Sequence, residues 1–197
     1  MLFLFVFSSF FTNYLTKFAS QTTKPEHFMD LTNIRGIAFD VDGVLSPATI
    51  PIDDEGLPQR MVNIKDGYAL QLAVKKGLKI AIISGARSKS VALRYRGLGI
   101  EDVFMGAAFK LPIFKQWLDQ CGIDASEAIF VGDDIPDLHV MAAAGISVAP
   151  ADAAWQVKEA ATYISPWEGG RGVARDIIEK VLTAQGLWMD DEHAFGW

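Results

Sequence analysis

Residues 34–186 predict an α/β fold, a doubly wound and mostly parallel sheet of the Rossmann-like kind, with one small projecting β-hairpin. Three observations carry this. Short apolar runs alternate with helical patterns from Ile34 onward, which is how parallel βαβ units read. Acidic or small polar residues stand where several of those runs end, and no internal repeat, low-complexity tract or linker divides residues 30–186. A chain of 197 residues is long enough for one domain with a proper core.

The elements follow in order. Residues 36–39 are the first strand. Residues 48–64 break the rhythm: extended arms at 49–52 and 60–64 flank Asp53-Asp54-Glu55-Gly56, a hairpin too short to be a second domain. A helix over 68–76 carries Leu70, Ala73 and Val74 and stops at Gly77, a residue suited to a left-handed cap. Strands follow at 79–83 and 103–105. Leu111, Phe114, Trp117, Leu118 and Cys121 recur at three- and four-residue steps, so this helix packs one face on the sheet, with Pro112 tolerated in its first turn. Strands at 128–131 and 146–149 come next, and Val173, Ile177, Val181 and Leu182 mark a last helix before Gly186.

The two ends stand apart from this domain of 30–186. The apolar run from Met1 to Phe11 is too short to span a bilayer and has no positive charge before it, so 1–28 reads as an over-extended start or a disordered leader. A membrane-associating leader is the rival reading, and no stable membrane insertion is expected. At the other end, the tail 187–197 has two aromatic-rich patches with no core of their own, and is expected to dock on a neighbouring subunit. Net charge is -6, which provides no basic stripe for a nucleic-acid backbone. Cys121 is the single cysteine, which excludes an internal disulfide and a multi-cysteine zinc site and fits a reducing, cytoplasmic setting.

Chemistry gathers at the strand ends. Asp40-Val41-Asp42-Gly43 stands where 36–39 runs out, the edge at which open α/β sheets bind ligands. A carboxylate there can attack phosphorus if a hard cation neutralises the phosphate, forming an acyl phosphate that water then cleaves. A second carboxyl two residues on can protonate the leaving oxygen and later activate the water. Taken alone the motif also reads as a solvated acidic turn. An EF-hand is excluded, because its twelfth position would be Pro51.

Gly132-Asp133-Asp134-Ile135-Pro136-Asp137 follows the strand at 128–131. Carboxylates so close together repel unless protonated or shared by a cation, and oxygen-only ligands select magnesium. Helix capping explains one of these aspartates and not the others. Ser84-Gly85 ends another strand, where a hydroxyl and loop amides can hold phosphate oxygens. Lys110 opens the Leu111 helix, a position mildly unfavourable for a cation unless an anion is near.

The order Asp40-x-Asp42, Ser84, Lys110, Gly132-Asp133-Asp134-x-x-Asp137 resembles the four-motif pattern of the haloacid dehalogenase superfamily of phosphatases, over about residues 34–186. The resemblance implies Asp40 as nucleophile, Asp42 as acid/base and backbone-carbonyl metal ligand, Ser84, Gly85 and Lys110 as phosphate binders, and Asp133 as the other magnesium ligand. Asp134 and Asp137 would support the metal's waters and orient Lys110. Phe39-Asp40-Val41-Asp42-Gly43-Val44-Leu45, Asn63-Ile64-Lys65-Asp66-Gly67, Val148-Ala149-Pro150-Ala151-Asp152 and Gly169-Gly170-Arg171-Gly172 together look like the 3-deoxy-D-manno-octulosonate 8-phosphate phosphatase family. That likeness implies a cap-less homotetramer acting on a small sugar acid phosphate in lipopolysaccharide precursor synthesis, with the hairpin and tail helping to close a neighbour's site. Arg87, Arg171 and His193 are the candidate substrate contacts. Ala86 displaces the arginine that many relatives carry directly after the glycine of the second motif, so a nonulosonate 9-phosphate is the alternative substrate if Arg87 does not reach the carboxylate.

Other residues read more simply. Cys121 lies on an apolar helix face, His139 on a partly exposed helix, and Trp155 and Trp167 suit packing. A receiver-type phosphorylation switch shares the phosphorylated aspartate, Ser, Lys and magnesium, but its acidic pair precedes that aspartate and it has no counterpart to Asp42.

Overall fold

The structure, a computed structural model, describes residues 29–196. The chain divides into two units, Met1–Asp30 and Leu31–Trp197, and the leader expected at 1–28 lies outside the described residues. The second unit is built on six strands: β1 (Gly36–Phe39), β2 (Lys79–Ser84), β3 (Asp102–Met105), β4 (Ala128–Val131), β5 (Ile146–Ala149) and β6 (Tyr163–Ile164). Their order is β3-β2-β1-β4-β5-β6 and every neighbouring pair is parallel. The sheet expected to be mostly parallel is thus parallel throughout its described pairs. β1 and β4 lie at its centre with every residue buried, as their uninterrupted apolar sequences require of strands covered on both faces.

Six helices cover the sheet: α1 (Ile64–Lys75), α2 (Lys89–Arg96), α3 (Lys110–Cys121), α4 (Leu138–Met141), α5 (Trp155–Ala160) and α6 (Val173–Ala184). α3 buries Phe114, Trp117 and Leu118, the Phe114 ring meeting Phe130 of β4 edge-on at 5.7 Å. Trp117 is wholly buried and satisfies its indole N–H on Asp102 Oδ2 at 3.0 Å, so a large apolar ring enters the core without stranding a donor. Winding proceeds from β1 outward to β3, then crosses to β4 and runs outward to β6. The carboxyl ends of β1 and β4 therefore flank the switch point, where successive loops diverge and leave a crevice.

Two expectations need correction. The 48–64 segment projects as a hairpin, but a single antiparallel bridge, Ile52 to Pro58, replaces the two strand arms. Asp53 holds the turn instead, accepting from the amides of Glu55 and Leu57 at 3.0 and 2.8 Å. Its second arm ends early because Asn63 caps α1, accepting from the amides of Lys65 and Asp66, so Ile64 is already helical. The helix expected from Tyr68 thus begins a turn sooner.

The tail also differs from expectation, for residues 187–196 fold onto their own chain. Trp188 meets the Tyr68 ring edge-on at 6.3 Å, and the Arg175 guanidinium lies over both rings, at 5.4 Å from Tyr68 and 4.7 Å from Trp188. Lys76 Nζ pairs with Asp190 and Asp191 at 2.5 and 2.8 Å, Ala194 is buried, and the Tyr68 hydroxyl donates to the Ala194 carbonyl. The aromatic patch read as lacking a core finds one on the packed pair α1 and α6.

Candidate active site

A cavity of about 560 Å³ opens at the carboxyl ends of β1, β2 and β4. Asp40, Asp42, Gly43, Ser84, Gly85, Lys110, Asp133, Asp134 and Asp137 all line it. The parallel sheet explains the assembly: each of these residues ends or follows a strand, and all parallel strands end on one edge. A larger cavity, about 750 Å³, lies elsewhere among Asn63, Lys65, Trp167, Arg171 and α6. The smaller one holds the carboxylates and the lysine, and chemistry decides between them.

Lys110, the first residue of α3, places Nζ 3.0 Å from Asp40 Oδ1 and 2.5 Å from Asp137 Oδ1. A buried cation at a helix N-terminus is unfavourable by itself. Burial pulls the lysine's pKa down, but the Asp40 and Asp137 charges outweigh it, and the net shift is upward. Asp137 is itself buried, and its second oxygen accepts from the Asp133 amide at 3.1 Å. It therefore ties Lys110 to the loop that carries Asp133.

The acidic groups crowd one another. Carboxylate oxygens of Asp40, Asp133 and Asp137 lie within 4.8 Å of each other. Burial pushes Asp40 up to about 6, with the Lys110 charge opposing and the Asp137 charge adding. Burial likewise pushes Asp133 up to about 7, helped by the charges of Asp40, Asp137 and Asp134. Asp137 is already committed to Lys110 and a backbone amide, which leaves Asp40 and Asp133 as the oxygens facing a cation. An all-oxygen set that resists ionising alone is what a hard divalent ion relieves. Asp134 is exposed at the cavity edge and, though it occupies a helix N-cap position, makes no capping bond.

The turn after Asp40 is compact. Gly43 adopts φ 85°, and a Cβ built there would fall 1.9 Å from Asp133 Oδ2, so the acidic loop packs directly on the turn. Ser84 is buried at the end of β2, its hydroxyl accepting from the Ala86 amide at 3.2 Å. One functional contact escaped the sequence: Arg60, from the projecting segment, donates Nε and Nη2 to the two Asp42 oxygens, each at 2.7 Å. An arginine eighteen positions from its partner has no signature; only the fold of the hairpin returns it to Asp42.

The candidate substrate contacts are placed differently. Arg87 is exposed and lies along Gly106, and Arg171 borders the larger cavity; neither borders the Asp40 cavity of its own chain. His193 stands in the short helix Glu192–Phe195 of the docked tail. His139 is exposed, and Cys121 is half-buried against the α3 core.

Asp40 and Asp42 after β1, Ser84 after β2, Lys110 opening α3 and the acidic loop after β4 define a phosphohydrolase of the haloacid dehalogenase class. The haloacid dehalogenase-like hydrolase family matches residues 102–177. A 3-deoxy-D-manno-octulosonate 8-phosphate phosphatase, KdsC of Escherichia coli strain K12, is 38% identical over 154 residues, 78% of this chain and 82% of that protein. The phosphatase of that name from Moraxella catarrhalis, solved with magnesium, phosphate and KDO, superposes with a TM-score of 0.76 at 32% identity, over 80% of this chain and 90% of that one. A cobalt-bound deoxy-D-mannose-octulosonate 8-phosphate phosphatase from Haemophilus influenzae has a TM-score of 0.79 at 31% identity, over 85% and 99%. This chain belongs to the 3-deoxy-D-manno-octulosonate 8-phosphate phosphatase family.

Proposed function

We propose that this chain hydrolyses 3-deoxy-D-manno-octulosonate 8-phosphate to the free sugar acid and inorganic phosphate, a step in lipopolysaccharide precursor synthesis. The observation that carries it is the meeting of Asp40, Lys110 and Asp133 in one cavity of a chain 38% identical to a phosphatase of that activity. Asp40 attacks phosphorus; the bond from phosphorus to the sugar oxygen breaks; and Asp42 gives that oxygen a proton. Asp42 then takes a proton from the water that attacks the acyl phosphate, freeing Asp40 and phosphate. Ser84 and the amides near Gly85 hold phosphate oxygens, and Lys110 adds positive charge beside the nucleophile.

Magnesium suits this donor set, and the Asp40 and Asp133 carboxylates with the Asp42 carbonyl would hold it, Asp134 and Asp137 standing behind. When bound, it neutralises the phosphate charge and screens Asp40 from Asp133. A receiver-type switch fits less well, since the receiver order is 2-1-3-4-5 whereas β1 here is flanked by β2 and β4. The position of Arg87 outside the cavity favours a second reading, a nonulosonate 9-phosphate as substrate. Side-by-side specificity constants for the eight-carbon and nine-carbon sugar acid phosphates and a neutral hexose phosphate test this. Preference for the eight-carbon acid supports the reading, and preference for the hexose phosphate overturns both.

The assembly we favour is a cytoplasmic homotetramer closed by its projecting segment, built on the catalytic domain of 30–186 with 1–28 before it and the tail 187–197 after it. Ile52, Leu57, Met61, Val62 and Ile64 are exposed together on and beside the hairpin, apolar surface that a second copy would cover. No helix among the described residues is long and apolar enough to cross a membrane. Light scattering of the purified chain tests the assembly; a monomer at all concentrations would refute it.

A further inference from the structure

Several motif residues have no part in the chemistry above, and they meet behind the nucleophile turn. We propose that Asn63 and the Gly169–Gly170 pair, backed by Asp66 and Asp152, are positioning residues that fix the Asp40–Asp42 turn for phosphoryl transfer. The inference rests on the phosphatase reading and deepens it.

The contacts form a closed chain. A Cβ on Gly169 would fall 2.1 Å from the Gly43 carbonyl oxygen, and one on Gly170 would fall 2.5 Å from the Pro47 nitrogen, so two backbones touch where side chains cannot fit. The Gly170 amide donates to the Val44 carbonyl at 2.8 Å, joining the glycine loop to the catalytic turn. Gly43 is thereby held between two bodies, Asp133 on one side and Gly169 on the other. A shift of Gly169 moves Gly43, and with it the spacing of Asp42 and Asp133.

The glycine loop is braced by three side chains, Asp152 after β5 and Asn63 and Asp66 from the start of α1. The Asp152 carboxylate accepts from the Gly169 amide at 2.9 Å. Asn63 uses both ends of its amide: the oxygen caps α1, and the nitrogen donates to the Gly170 carbonyl at 3.2 Å. Asp66, buried in the first turn of α1, accepts from the Arg175 amide at 2.7 Å and so ties α1 to the start of α6, directly after the loop. An amide on a helix cap and a carboxylate on the same turn thus brace a loop that has no side chains of its own at the contact. Purely structural residues would tolerate small shifts. Here the shift is delivered to the turn between nucleophile and acid, where a misplacement of about 1 Å can cost about a hundredfold in rate.

Asn63→Asp isolates the effect, since the carboxylate keeps the helix cap and removes the N–H that holds Gly170. Gly169→Ala pushes directly on Gly43. For Asn63→Asp, kcat on the sugar acid phosphate should fall about tenfold to a hundredfold with little change in KM. Inhibition by orthovanadate, which mimics the transferring phosphoryl group, should weaken by the same factor while inhibition by inorganic phosphate changes little. Circular dichroism should show both variants folded at the assay temperature. Wild-type kcat and vanadate inhibition in folded Asn63→Asp, or a rate loss that tracks only the unfolded fraction, overturns the proposal. If Gly169→Ala does not fold, Asn63→Asp alone decides. Loss of turnover in the unmutated enzyme would strike the phosphatase reading instead, so the two failures are distinct.

Discussion

Removing magnesium should make this protein's stability fall as pH rises from about 4 to about 7, and restoring it should abolish most of that slope. Asp40 is raised from its ordinary value of 3.8 to about 6. Between those values the folded chain keeps a proton that the unfolded chain has lost. Stability is therefore fully present below the unfolded value and is lost as pH passes through the folded one. The shift corresponds to about 3 kcal/mol at about 1.36 kcal/mol per pH unit. Charge repulsion acts in the same direction: carboxylate oxygens within 4.8 Å of one another repel by about 3.5 kcal/mol or more at an effective dielectric constant of about 20. Asp133, raised to about 7, acts in the same direction but is more exposed, so solvent screening reduces its share. For a chain of this length, about 3 kcal/mol lowers the unfolding midpoint by about 6–12 °C. The assay is thermal unfolding at about pH 5 and about pH 7.5, in chelator and in excess magnesium. Asp66, also pushed up to about 6 by burial, should leave a residual slope that magnesium does not remove. Equal midpoints at the two pH values in chelator, or an undiminished slope in magnesium, would refute the reasoning.

Asp40→Asn should abolish multiple turnover in a folded protein, and Asp42→Asn should lower kcat by about a hundredfold or more; near-normal turnover of purified Asp40→Asn by phosphate release sinks the covalent mechanism. Because Arg60 occupies both oxygens of Asp42, that pair has to part before Asp42 can reach a leaving oxygen, and the anionic substrate is the natural competitor for the guanidinium. Arg60→Ala should raise KM for the sugar acid phosphate by about tenfold while sparing p-nitrophenyl phosphate, which lacks a carboxylate; equal changes on both substrates remove Arg60 from recognition. Deleting residues 187–197 takes away the Trp188 contact with Tyr68 and Arg175 and the Lys76 ion pairs, so the unfolding midpoint should fall by several degrees in magnesium; an unchanged midpoint would show that the tail contributes nothing to its own subunit.

Much of the charged constellation that lines the Asp40 cavity was legible in the sequence. Asp40, Ser84, Lys110 and Asp133 each follow or adjoin an apolar run, and a parallel sheet delivers every strand's carboxyl end to the same edge. Linear order along such a sheet therefore implies proximity in space, without any knowledge of distances. The strands at 36–39 and 128–131 were readable because, buried on both faces, they are apolar without interruption, and 146–149 is broken only by Ser147. β6 was not, since two residues carry no period to detect.

What the sequence by itself determined, then, is the class of fold and the gathering of Asp40 with its charged neighbours at one sheet edge, because local pattern and parallel topology are enough to specify them. The tertiary structure alone decided where the connecting segments go. Arg60 reaches Asp42 because a turn built on Asp53 brings the hairpin back, and Arg171 borders the larger cavity while Gly169 and Gly170 are pressed against Gly43 and Pro47. Asn63 reads as a helix cap and is also the anchor of a loop distant in sequence. The tail that lacked a visible core finds one on α1 and α6. These outcomes depend on contacts between residues far apart in the chain, and such contacts are set by the packing of whole elements, which no local spacing of residue types encodes.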